Sequence, residues 1–273
     1  MSNLSLNSRV QQNQDKQQID LRAVWVFCVV TVVFSVSLFL LLPGMAGSMI
    51  GVFIPTVTAV TLISLTVGIS QVRPRLFSTR AWHISLKWLF ISLGVALALR
   101  LGVSLLGLLL IPDYQWDPSL ALSLLPLTLL YLVSAAGEEI GWRGFALPTM
   151  LAYSYRPLAA ALILGVPWAL LHLPLVLPGM LSAGASPLAS FLNVMALSVL
   201  VTWAYLAAGY SLSAAVLLHA GQSIFGFLNY GLDPVASSWL VAAAYTAAAL
   251  LVIFLTRGRL GLPETAVTVI ENP

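Results

Sequence analysis

The chain has 273 residues, of which 60% are hydrophobic and 8% charged. A soluble domain is about 45–50% apolar and about 25% charged, so this chain has too little charge to cover a water-facing surface and is read as lying in lipid. The net charge of +3 forms no basic patch of the kind nucleic acid requires, and the single cysteine, Cys28, excludes an intrachain disulfide framework.

Residues 1–20 are polar and rich in Gln, Asn and Ser, which reads as a disordered cytosolic tail. The first apolar run begins near Leu21 and is long enough to span, so it reads as a signal anchor and not as a cleaved leader. Apolar segments follow at 22–42, 48–70, 86–111, 120–152, 158–178, 187–208, 211–230 and 236–256. The expected fold is all-α, a polytopic membrane bundle of about eight transmembrane helices. It forms one domain over 21–260, and a second cytosolic tail covers 261–273. The fourth segment is longer than the roughly 20 residues a span needs and carries AAGEEIGWRGF. No internal repeat is evident, which weighs against a transporter built from inverted repeats.

Basic residues set the orientation. Arg9, Lys16 and Arg22 precede the first segment, and Arg73, Arg75, Arg80 and Lys87 surround the second connection. Arg156 lies in the fourth connection, and Arg257 and Arg259 follow the eighth segment. The alternate connections carry Asp113, Asp117 and Asp233. Eight spans with both termini in the cytosol put every basic cluster inside. Trp82, Trp116 and Trp239 fall near span ends, where interfacial aromatics belong.

An ionisable group in hydrocarbon costs about 2.5–3.5 kcal/mol on insertion scales and is a functional suspect by default. Of nine acidic residues only Glu138 and Glu139 lie inside an apolar segment, joined by His172, His219, Arg100 and Arg143. On a helix, Glu139 and Arg143 are four apart and share a face. Glu138 is turned by about 100° from its neighbour and is left for a different partner. Glu138 lies 17 residues before Tyr155 and His172 lies 17 after it, so the two come level across an antiparallel hairpin. His219 reaches the same depth only if that hairpin projects about 10 Å into the cytosol.

A carboxylate beside a histidine takes a proton from water and delivers it to a leaving group. A second histidine supports an oxyanion, and Ser223, one turn beyond His219, offers a further donor. Glu138, His172 and His219 also make a set that can hold zinc with one open position; the residues alone leave both mechanisms open. Arg100 is expected to snorkel, to meet a lipid phosphate or to face an internal cavity. Asn193 and Gln222 read as interhelical amides, with Gln222 close enough to His219 to line a cavity, and His83 as interfacial. The small residues Ala135, Ala136, Gly137, Ala220 and Gly221 read as sites of close helix packing.

Glu138-Glu139-xxx-Arg143 resembles the EExxxR motif of the CPBP family, the CAAX proteases and bacteriocin-processing enzymes also called the Abi family. Trp168-xxx-His172 is similar to its FxxxH motif, with Trp for Phe. His219-xxx-Ser223 is similar to its HxxxN or HxxxD motif, with Ser for the amide or acid. The three stand in family order within apolar segments, inside a family-like core at about 118–256. The resemblance implies an eight-span helical fold and an intramembrane endopeptidase similar to the type II CAAX prenyl endopeptidases. In it Glu138 and His172 activate water, His219 and Ser223 form the oxyanion hole, and Glu139 and Arg143 support them. It implies no required cofactor in a glutamate mechanism, with zinc as the metallo-type alternative. The departure at Ser223 bears on the oxyanion role, because a serine can bond its own i−4 carbonyl instead.

The expected partners are the bilayer and a peptide or membrane-protein substrate, with or without a lipid group. The expected location is a bacterial plasma membrane. Two other readings use the same residues: a non-catalytic scaffold or self-immunity protein on this fold, and a proton-coupled transporter in which Glu138 and the histidines relay protons.

Overall fold

A computed structural model describes residues 18–42, 44–115 and 126–262; the expected tails, Trp116 and Asp117 fall wholly or largely outside them. The described residues are helical, without strands. The elements are α1 (Leu21–Leu41), α2 (Met45–Gly51), α3 (Ile54–Thr66), α4 (Val72–Leu76), α5 (Leu86–Leu110), α6 (Leu127–Gly141), α7 (Leu147–Ala152), α8 (Pro157–His172), α9 (Pro187–Ala207), α10 (Leu212–Ile224) and α11 (Pro234–Thr256).

Local chemistry sets the ends. Asp20, Ser85, Ser186, Ser211 and Asp233 each accept a backbone N–H from the first turn that follows, filling donors that a helix start leaves open. Pro157, Pro187 and Pro234 occupy first positions, where no N–H is needed.

Seven stretches among the described residues are long and apolar enough to cross a membrane: Arg22–Leu41, Ala46–Thr66, Leu86–Leu110, Pro157–Val176, Pro187–Ala207, Leu212–Asn229 and Pro234–Thr256. The eighth expected segment is helical from Leu127 to Ala152 but is not uniform. Between α6 and α7 lies a π turn, Trp142–Ala146, in which the Leu147 N–H bonds the Trp142 carbonyl five residues back. The second segment also departs from a single run: it breaks at Val52 and Phe53, just ahead of Pro55, and ends at Thr66.

Helix α9 lies between α8 and α11, and α10 lies between α5 and α6. Helix α3 packs on α6, and α1 on α8. The α3–α6 contact needs glycine: a Cβ on Gly141 would stand 2.6 Å from the Pro55 backbone, and one on Gly137 would stand 2.9 Å from the Val52 carbonyl oxygen. The Thr56 hydroxyl donates to the Gly137 carbonyl at 2.6 Å across the same seam. A Cβ on Gly221 would meet Ala96 at 2.6 Å, which brings α10 equally close to α5. These are the small-residue contacts that membrane helices use. Outward faces carry Val29, Leu65, Phe90, Leu109, Leu129 and Phe254, all exposed, as lipid-facing residues are.

Trp82 differs from the expected belt role. It is half-buried, its indole N–H donates to the Leu76 carbonyl at 2.9 Å, and its carbonyl receives the Ser213 hydroxyl. Trp239 and His83 are exposed near helix starts, as expected.

Candidate active site

The paired glutamates end α6, immediately before the π turn. Both are buried, Glu138 at 4% and Glu139 at 0% exposure. Consecutive positions on one helix send them to different neighbours.

Glu139 faces the bundle interior. Arg143 Nη1 stands 3.1 Å from its Oε2, an (i, i+4) pair in which both side chains are buried. Arg143 Nη2 donates to the backbone carbonyl and the hydroxyl of Ser198, each at 3.2 Å, and the Ser198 hydroxyl donates to the Ala161 carbonyl at 2.7 Å. The guanidinium lies over the Trp168 ring, 4.4 Å from its centroid. The charge therefore has a carboxylate, two oxygens and an aromatic face around it, which is what a buried cation needs.

Glu138 faces a cavity. Trp168 donates its indole N–H to Glu138 Oε2 at 2.5 Å. His172, one turn beyond Trp168 on α8, places Nε2 4.0 Å from that same oxygen. The two motif residues thus come level across the hairpin. His172 Nδ1 lies 2.8 Å from the Trp168 carbonyl oxygen. A carbonyl only accepts, so Nδ1 carries the hydrogen and Nε2 is left with a lone pair in the neutral ring.

His219, on α10, reaches the site, but its partner is Glu139: Nδ1 lies 2.8 Å from Glu139 Oε1. The residue that the sequence groups with Glu138 is therefore anchored by the other glutamate. Its ring also meets the Trp168 ring edge-on at 5.2 Å. Trp168 contacts Glu138, Arg143, His172 and His219, a role not visible from its place as a substitute for Phe.

Glu138, Trp168, His172, His219 and Ser223 line one cavity of about 380 Å³, with Ser134 and Tyr131 on the same wall. The Ser223 hydroxyl makes no hydrogen bond with a described residue, so it does not turn back to the i−4 carbonyl. Gln222 and Asn193 also line the cavity, and the amide oxygen of each is buried without a hydrogen-bond partner among the described residues. Asn193 was expected to bond between helices; its oxygen does not.

Arg100 takes the last of its three expected settings, an internal cavity. It neither snorkels nor points to lipid. Its Nε donates to the Gln222 carbonyl at 2.8 Å and its Nη1 to Asn229 Oδ1 at 3.0 Å, and it lines the same cavity. Asn229 answers with bonds to the Arg100 carbonyl and the Ser104 hydroxyl. Ser198 and Asn229 were missed in the sequence, where the only signal was a polar residue inside an apolar run.

The expected zinc set does not gather around one point. Among the described residues no three His, Cys, Asp or Glu side chains form a group placed to hold a metal.

Two comparisons bear on this geometry. Residues 119–225, which contain all three motifs, match the model of a family described as type II CAAX prenyl endopeptidase Rce1-like. A curated relative, described as CAAX prenyl protease 2 of Methanococcus maripaludis, is 26% identical over 138 residues, covering 47% of this chain and 48% of the relative. The chain thus spans about half the length of that relative. The family resemblance drawn from the motifs is the one these comparisons find.

Proposed function

We propose that the protein is an intramembrane endopeptidase that hydrolyses a peptide bond with water held between Glu138 and His172. The observation that carries this reading is the 4.0 Å separation of Glu138 Oε2 and His172 Nε2 at a cavity wall. That gap is long for a direct bond. One water at about 2.8 Å from each atom bridges it.

Both atoms are acceptors toward such a water, because His172 carries its hydrogen on Nδ1. The water's two hydrogens point at them, and its lone pairs are left toward the cavity. Attack on a carbonyl carbon forms the C–O bond while Glu138 takes the proton. Collapse of the tetrahedral intermediate breaks the C–N bond, and Glu138 returns the proton to the leaving amine. The Trp168 N–H holds the carboxylate in place through both steps.

His219 supports the oxyanion. Glu139 fixes its Nδ1–H, so its Nε2 is free to donate when the ring is charged. In that state Glu138, Glu139, Arg143 and His219 sum to no net charge, which suits a site in lipid. Ser223, one turn further, supplies a second donor from the cavity wall.

The substrate is a peptide or membrane-protein segment that reaches the cavity from the cytosolic side or from the bilayer. The names borne by the family and by the relative make a prenylated C-terminal tail the first candidate. Bacteriocin processing is the second. The setting is a plasma membrane with both termini cytosolic, an orientation supported by the basic connections around α4 and after α11. Cleavage of a prenylated peptide by reconstituted protein in ¹⁸O-labelled water tests the reading: one label must enter the new C-terminus. A biological effect that survives Glu138→Gln intact favours the scaffold reading instead.

A further inference from the structure

Arg100 is a cation within a membrane span, and among the described residues no carboxylate pairs with it. Its protein partners are a carbonyl, an amide oxygen and the Tyr245 ring, whose centroid is 5.9 Å away. Intramembrane charges persist where they face a water-filled cavity or a counter-charge. Among the described residues Arg100 is the one lysine or arginine on the wall of the cavity that holds Glu138 and His172. Its Nε and Nη1 are engaged by those two oxygens, and the Tyr245 side chain stands against the guanidinium.

We propose that Arg100 is a specificity-determining residue of this site, the group that binds the free C-terminal carboxylate of the substrate. The proposal rests on the peptidase reading of the same cavity.

Three observations support it. The first is charge: a carboxylate supplies the anion that Arg100 lacks, in a setting where charge-assisted bonds are strong. The second is distance. Helices α5 and α10 start side by side, tied by the Leu212 N–H to the Ala81 carbonyl at 2.7 Å and the Ser211 hydroxyl to the His83 carbonyl at 2.5 Å. From there the guanidinium reaches the Gln222 carbonyl, and its Nη2 would lie 4.0 Å from a Cβ on Gly226. It therefore sits three to seven residues beyond His219 along α10 and the turn that follows it, roughly 5–10 Å at the helical rise. Two or three residues of extended chain, at about 3.3 Å each, cover that interval. The third is the lining: the Gln222 and Asn193 side chains border the same cavity and bring hydrogen-bonding amides beside that short stretch.

The test uses the full chain carrying Glu138→Gln in nanodiscs, so that bound peptide stays intact. The probe is a farnesylated peptide ending in Cys-Val-Ile-Met, prepared as the free acid and as the C-terminal amide, with binding read by fluorescence anisotropy. The acid is expected to bind about tenfold or more tighter than the amide. Arg100→Gln should abolish the preference, and Arg100→Lys should retain part of it. Equal binding of acid and amide, or an undiminished preference in Arg100→Gln, overturns the proposal. If Arg100→Gln does not fold, the acid-to-amide comparison alone decides. Cleavage of both peptides by the wild-type chain without an acid preference removes the subsite and leaves the peptidase. An acid preference without wild-type cleavage removes the peptidase and leaves the subsite. Neither binding nor cleavage overturns both.

Discussion

Trp168 donates its indole N–H to Glu138 at 2.5 Å while its ring lies 4.4 Å from the Arg143 guanidinium. One side chain therefore touches the carboxylate facing the cavity and the cation that holds the other carboxylate. The family's second motif has Phe here, which fills the same space but has no donor. Trp168→Phe should keep the fold and the ring contact with Arg143 while freeing Glu138 to rotate. The expected outcome is a fall in kcat of about tenfold, with KM nearly unchanged, because the lost bond orients the base and does not hold substrate. Steady-state kinetics on reconstituted protein reads this directly.

Breaking the inner pair should act on stability first. Arg143 and Glu139 are both buried, so Arg143→Met leaves a carboxylate in lipid without its cation. Removing one partner of a buried pair costs about 3–5 kcal/mol. A large drop in the thermal unfolding midpoint is expected. Arg143→Lys, which keeps the charge but loses the fork onto Ser198, should fall between the two.

The α3–α6 seam gives a test by volume alone. Gly141→Ala would drive a methyl into the Pro55 backbone at 2.6 Å, and forced overpacking costs about 1–3 kcal/mol. Because α3 approaches the cavity at Pro55, activity should fall with stability. Gly94→Ala on α5 meets nothing within 4 Å and should be neutral or stabilising by up to about 1 kcal/mol. Equal behaviour of the two variants in unfolding assays would contradict the packing account.

A strong chelator should leave cleavage intact. The expectation rests on the ligand geometry: no three-residue ligand group forms among the described residues. Activity lost to chelator and restored by added zinc would contradict it.

Hydropathy made most of the bundle legible, because lipid demands long apolar runs and the caps at Ser85, Ser186, Ser211 and Asp233 mark their ends. The break at Val52 and Phe53 was less visible: Gly51 and Pro55 frame it, but the run stays apolar throughout. The π turn after Glu139 left no sequence signal. The (i, i+4) rule placed Arg143 on Glu139 correctly, since both lie on one helix. The same rule says nothing about which glutamate His219 meets, because that depends on how α10 packs against α6. Arg100 was ambiguous for a related reason: whether an intramembrane arginine faces lipid or a cavity is decided by its neighbours, here Gln222 and Asn229 from another part of the chain.

The central claim is that Glu138 and His172 together handle the attacking water. It is tested most directly by single-turnover cleavage of a prenylated peptide by purified, reconstituted wild-type, Glu138→Ala and His172→Ala proteins of matched thermal stability. Each variant is expected to lose activity by a factor of about 10² or more, with peptide binding retained. Full activity in either variant would contradict the account.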